Sequence, residues 1–319
     1  MRRASELGED VKFLAEAACS ELNQVYETLE TLCICFPGRV SGSENLEKSL
    51  DYLHGYGEDH LPVGSSTSEI VTCVPCWVRG DWREETCVVN IDPSAGKPPV
   101  PFPLSRNIRI LANGLSIGTP PDGVSGSLCI VHSWEHLHEA GEKQLLQGKI
   151  VLYDFQTFIT YGHHNSFRNK GANEAAKYGA AAVLIRSLAP DSTASGAHTG
   201  SQEEYKTNSA GEVLAIPAAC VAVEDVEMLT RLSKRGHQLS ACLKLPCHFL
   251  PDRESRNLVF ELKGSELPHE VVIIGGHTDC WDCQMGCCQG AHDDGQGVVI
   301  GRRLADVLAR VARGEVPEH

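Results

Sequence analysis

Val271-Val272-Ile273-Ile274-Gly275-Gly276-His277-Thr278-Asp279, followed after a short spacer by Gly290-Ala291-His292-Asp293-Asp294-Gly295-Gln296-Gly297, decides how this chain is read. Four apolar β-branched residues in a row predict a central strand buried on both faces, within an expected strand Glu270–Gly275. Gly-Gly lets the backbone turn sharply where that strand ends. In an open α/β sheet, ligands collect beyond the carboxyl ends of the strands, which is where His277 and Asp279 fall. Asp293 and Asp294 open a predicted helix, 295 to about 313, whose free N–H groups and positive dipole end favour carboxylates. An imidazole and carboxylates brought together from two elements suit zinc, with Asp279 taking the other N–H of His277. The same residues also fit an ordinary polar loop and a helix cap, and the pattern alone leaves both readings open.

Outward from that stretch, the sequence divides. Residues 6–32 lack proline and place Val11, Leu14, Ala15, Ala18, Leu22, Val25 and Leu29 at helical spacing, predicting one amphipathic helix. Ser41-Gly42-Ser43-Glu44 caps a second, from Asn45 to about Tyr56. Residues 69–91 read as strands, and the Pro/Gly-rich 93–103 as a crossing linker. Between 104 and 250, apolar strands at 127–131, 150–153, 180–185 and 216–223 alternate with helices at 172–178 and from Glu224, the pattern of a small α/β module. Asn257–Lys263 is a further expected strand. The expected organisation is 1–103 and 251–319 in one domain, with 104–250 inserted between them.

A length of 319 residues suits about two domains. With 42% hydrophobic and 22% charged residues the composition is that of a folded globular chain. A net charge of −14 argues against nucleic acid or an anionic membrane as partner. No apolar run reaches the roughly 20 residues of a membrane helix, and the acidic residues after Met1-Arg2-Arg3 leave no signal peptide visible. Fourteen cysteines include Cys73-x-x-Cys76 and Cys280-x-x-Cys283 with Cys287-Cys288. The spacing around 280–288 does not supply two separated ligand pairs, so unpaired or partly bridged thiols are expected rather than a zinc knuckle. His132, His136 and His138 read as a helix surface, and His163-His164 as an exposed turn. Glu84-Glu85 and Glu203-Glu204 read as solvated carboxylates, and Ser41 and Ser43 as caps, not nucleophiles.

The metal segment, together with Arg39-Val-Ser-Gly-Ser43, Leu115-Ser-Ile-Gly-Thr-Pro-Pro121, Gly171-Ala-Asn-Glu-Ala-Ala-Lys177 and Val223-Glu-Asp-Val-Glu-Met228, resembles the carboxypeptidase Q family of co-catalytic zinc exopeptidases, also called plasma glutamate carboxypeptidases. The resemblance implies an α/β fold: a three-layer sheet-and-helix peptidase domain, incomplete here, carrying an inserted protease-associated α/β domain. It implies two zinc ions, His277 as ligand of one, Asp293 as bridge between both and Asp279 as the catalytic residue that orients His277. Short peptides, chiefly dipeptides, are the implied substrates, homodimers the implied assembly, and the extracellular space or lysosome the implied location. Two departures stand out. Cys283–Cys288 lengthens the spacer between ligands, and no segment up to His319 resembles the Glu-Glu, Asp and His motifs that complete the family's site. Two of five expected ligands and no base are thus present, so the 319-residue chain is expected to be a C-terminally truncated form, inactive alone. The alternatives are a non-catalytic binding protein on the same folds and, more weakly, a thiol-rich module built on Cys280–Cys288.

Overall fold

The amphipathic run near the N-terminus forms two helices, not one, in the computed structural model: α1, Ala4–Cys19, and α2, Leu22–Cys35. The structure describes residues 4–20, 22–62, 66–92, 104–190, 197, 199–282 and 290–313; the spacer 283–289 and the linker 93–103, both singled out above, lie outside them. Ser20 ends α1, its hydroxyl donating to the Ala17 carbonyl at 2.9 Å, the kind of local side-chain bond that competes with helix continuation. Helix α3, Glu44–His60, is capped as expected by Ser43, whose hydroxyl accepts the Leu46 N–H at 3.1 Å. Strand β1 is Ser66–Val78. The chain divides into two compact units: Met1–Cys76 with Pro251–His319, and Trp77–Leu250.

The second unit is built on an eight-stranded sheet. Strands β2 (Thr86–Asp92), β3 (Ser105–Ile108), β4 (Ile110–Ala112) and β5 (Val124–Val131) precede helix α4 (Trp134–Glu142). After them come β6 (Ile150–Tyr153), α5 (Tyr161–Ala176), β7 (Ala182–Arg186), β8 (Ala218–Val221), α6 (Val223–Lys234) and β9 (Gln238–Lys244). The strand order is β3-β2-β9-β5-β6-β7-β8-β4, with β5, β6, β7 and β8 parallel. Every residue of β6, β7 and β8 is buried, as unbroken apolar runs in parallel strands require. Val151, Tyr153, Phe167, Ile185 and Ala218 share one core cluster there. The unit begins at Trp77, upstream of the 103/104 division expected from the linker, because β2 pairs with β3 on one side and β9 on the other.

The chain then returns to the first unit. Strand β10, His248–Phe260, pairs with β1 in a two-stranded sheet. A wide helical turn at Ala291–Gly295 leads into α7, Gln296–Ala312. Leu32, Leu53 and Val299 form the buried centre, with Leu29, Phe36 and Leu258 against them. The expected central strand at 270–275 is a correction. Val271–Ile274 pairs with no strand among the described residues, and Val272 and Ile273 are each 88% exposed. Four apolar residues make a buried strand only where neighbouring strands and a covering layer meet them, and the two-stranded β1–β10 ribbon does not extend to this segment.

Candidate metal centre

All the candidate ligands lie in the first unit. Beyond Gly275-Gly276 the chain runs on as an irregular loop through Asp282. His277 Nε2 stands 3.0 Å from Asp293 Oδ1, joining residues 16 apart in sequence. Its Nδ1 faces the Asp279 carbonyl oxygen at 3.0 Å and Asp279 Oδ1 at 3.2 Å. Burial works against a charge on this half-exposed ring. The bond to the Asp279 backbone and the charges of Asp279 and Asp293 outweigh it, and the His277 pKa is raised above its ordinary value.

Asp293 is not the cap of α7, whose N-cap residue is Gly295. Asp293 (φ −122°, ψ 94°) and Asp294 (φ −124°, ψ 33°) depart from helical geometry within the wide turn, and the peptide between them is cis. The two neighbouring carboxylates face different ways. That of Asp293 meets His277, whereas that of Asp294 sits against the start of α7. Two glycines make that second seat: a Cβ on Gly276 would lie 2.7 Å from Asp294 Oδ2, and one on Gly297 would lie 2.5 Å from both carboxylate oxygens. No sequence motif assigns Gly297 a separate role, and only the close approach in three dimensions reveals it.

A metal ion at His277 is supported by the chemistry of the donors. An imidazole nitrogen and a carboxylate oxygen, both zinc-ligand types, converge, and the other ring nitrogen faces a second aspartate. The set is short, however: among the described residues no group of three or more His, Cys, Asp or Glu side chains is assembled to hold an ion. A cavity of about 680 Å³ between α2, α3 and α7 contains none of these ligands; Thr28, Tyr56, His60 and Arg302 are among its walls.

The other sequence candidates resolve into structural roles. His132 Nδ1 bonds the Asp154 carbonyl at 2.8 Å, and His138 Nδ1 bonds the Tyr178 hydroxyl at 2.9 Å. His163-His164 is not an exposed turn. It lies in the first turn of α5 beneath the Thr160 cap, with His164 buried. Glu85 is not solvated either: it is buried and pairs with the equally buried Arg79 at 3.0 Å. Glu203 does meet solvent, near Lys170 and Lys206. Cys280 is buried, and Cys283, Cys287 and Cys288 lie outside the described residues. No helix among the described residues is long and apolar enough to cross a membrane.

No family profile matches the chain. Carboxypeptidase Q of Pongo abelii is 39% identical over 284 residues, covering 87% of this chain and 53% of the relative; the proteins of Bos taurus and Homo sapiens match to the same degree. The chain thus spans about half the length of the curated relatives it matches. Among solved structures, a peptidase M28 precursor from Shewanella amazonensis SB2B superposes with a TM-score of 0.76 at 27% identity, over 99% of this chain and 65% of the other. An aminopeptidase from Aneurinibacillus sp. strain AM-1, at 18% identity and a TM-score of 0.58 over 90% of this chain and 59% of its own, shares the fold.

Proposed function

Because the chain belongs to the carboxypeptidase Q family over the stretch it spans, we propose that it supplies the His277–Asp293 wall of a zinc centre in a metallo-exopeptidase acting on dipeptides and other short peptides. The observation that carries this reading is the 3.0 Å approach of His277 Nε2 to Asp293 Oδ1, from two elements 16 residues apart. Unit Trp77–Leu250 is then the inserted protease-associated domain.

His277, through Nε2, and Asp293, through its carboxylate, would hold the zinc, and the family resemblance would make Asp293 the ligand shared by a second ion. Asp279 would accept a hydrogen bond from His277 Nδ1–H, which fixes the tautomer that leaves Nε2 free to ligate. Asp294, seated between Gly276 and Gly297, anchors the turn so that its neighbour keeps its aim. Bound zinc supplies Lewis acidity, which lowers the pKa of a coordinated water and polarises a peptide carbonyl. A catalytic zinc takes three protein ligands and the described residues bring two together, so the 319-residue chain is expected to hold zinc weakly and to leave dipeptides uncut. The reading extends to homodimers in an extracellular or lysosomal setting.

Calorimetric titration of zinc into the 319-residue chain tests the assignment. The wild-type chain binds, and both His277→Ala and Asp293→Asn lose that binding while keeping the far-ultraviolet spectrum. Equal binding by wild type and His277→Ala would overturn the site, and metal-dependent dipeptide hydrolysis by residues 1–319 would overturn the stated inactivity.

A further inference from the structure

We propose that Arg39 is a positioning residue for the zinc ligands, a buried cation that holds the His277 segment and the Asp293 segment at a fixed separation. The inference rests on the zinc reading above and extends it to a residue that touches neither metal nor substrate.

Arg39 lies in the first unit and its side chain is completely buried. A guanidinium carries five N–H groups in a rigid planar fork and stays charged, so it tolerates burial only where acceptors surround it. Here they are backbone carbonyls from three separate segments. Nε donates to Thr278 at 2.7 Å, Nη1 to Leu32 at 2.9 Å and Phe36 at 3.1 Å, and Nη2 to Gly290 at 3.4 Å. The Arg39 carbonyl accepts the Cys280 N–H at 2.9 Å, so the residue grips the loop on both sides of Asp279.

The two distant anchors are the informative ones. Thr278 follows His277 directly, and Gly290 opens the turn that carries Asp293. One planar group therefore spans the two ligand-bearing segments from behind, with α2 as its fixed base. Gly290 is fitted to this contact: at φ +60° it takes a conformation that favours glycine, and a Cβ there would lie 2.8 Å from Arg39 Nη2. Its carbonyl also accepts the Gly295 N–H at 2.9 Å, closing the turn around Asp293. A lysine has only three donors on a single nitrogen and cannot reach all these carbonyls in one plane.

Zinc affinity and melting temperature of the 319-residue chain separate positioning from general stability. Groups that orient metal ligands change affinity by roughly 10- to 100-fold when removed. Arg39→Ala is expected to weaken zinc binding about tenfold or more, with partial recovery in millimolar guanidinium. Arg39→Lys is expected to fall between it and wild type. Leu53→Ala, which opens a cavity in the same unit's core, is expected to lower the melting temperature and leave affinity unchanged. Wild-type affinity in Arg39→Ala overturns the proposal, as does an equal loss in Leu53→Ala. Should Arg39→Ala not fold, unchanged affinity in Arg39→Lys overturns it. A wild-type chain that binds no zinc, or binds it as well after His277→Ala, sinks the zinc reading itself. Zinc held by wild type, lost in His277→Ala and kept in Arg39→Ala sinks only the role of Arg39.

Discussion

His164 is a histidine whose partners require it to be neutral. Its Nε2 accepts the Ile159 N–H at 3.1 Å, and its ring stacks on Phe155 with centroids 4.2 Å apart. Burial lowers its pKa, and the neighbouring His163 adds to the effect, with Arg186 contributing less. An unfolded histidine titrates near about pH 6.5. Because the folded value is depressed, the unfolded chain binds the extra proton first as pH falls. The stability from a neutral His164 is full above about pH 6.5 and is lost progressively below it. Thermal melts across that range should therefore show a steeper acid-side fall for wild type than for His164→Gln, which keeps an acceptor without a titrating ring; parallel curves would refute it. The sequence hid this residue because Tyr161-Gly162 before it suggested a turn. The overlooked signal was Thr160, whose hydroxyl accepts the His163 N–H at 3.2 Å and starts the helix. At the candidate site, spacing and resemblance singled out His277, Asp279 and Asp293, and both aspartates lie within 3.2 Å of the His277 ring. The approach of Gly276 to Asp294, 18 residues away, and the span of Arg39 to Thr278 and Gly290 are long-range, which local pattern does not encode.

Strand β4 shows what an element at a sheet edge needs. It pairs with β8 on one side, and an unpaired strand edge is a template for unwanted association. The free side of Ala112 is occupied instead. Its carbonyl accepts from Arg79 Nη1 at 3.0 Å and from the Thr199 hydroxyl at 2.8 Å, and its N–H approaches Glu85 Oε1 at 3.4 Å. The Arg79–Glu85 pair thus closes the edge that strand pairing leaves open. Removing one partner of a buried ion pair costs roughly 3–5 kcal/mol, mostly because the other charge stays buried. Glu85→Ala should destabilise the Trp77–Leu250 unit by about 3 kcal/mol in urea unfolding monitored by tryptophan fluorescence, with the Glu84→Ala control near wild type. A loss under about 1 kcal/mol would show that the pair does not hold the edge. Elements of this unit were largely legible, since β6, β7 and β8 are short apolar runs between turn residues. Val271–Ile274 carries the same signature and is exposed. Composition records that a segment is fit to be buried, whereas burial itself depends on partners elsewhere in the fold.

The exposed Val271–Ile274 segment, a solvent-facing apolar ribbon, bears on how residues 1–319 associate. The second unit encloses its apolar strands in a sheet whose β4 edge is blocked, but the first unit presents four consecutive β-branched residues to solvent. Extended, apolar and uncharged segments with free backbone groups pair with their like. The net charge of −14 opposes that pairing, and the opposition weakens as salt shortens the Debye length from about 30 Å at 0.01 M to about 8 Å at 0.15 M. Self-association should therefore rise with salt, the reverse of assembly through surface ion pairs. Ile273→Lys places a charge at the centre of the ribbon, on a side chain already 88% exposed, so it should suppress association without lowering the melting temperature. Light scattering on a sizing column at low and physiological salt would read both effects. A wild-type chain that stays monomeric at both salts, or an Ile273→Lys chain that associates equally, would mean that the ribbon is not the contact. Because Ile273 lies four residues before His277 and on a segment that makes no described strand pairing, the substitution should also leave zinc affinity unchanged, separating the surface that associates from the wall that binds metal.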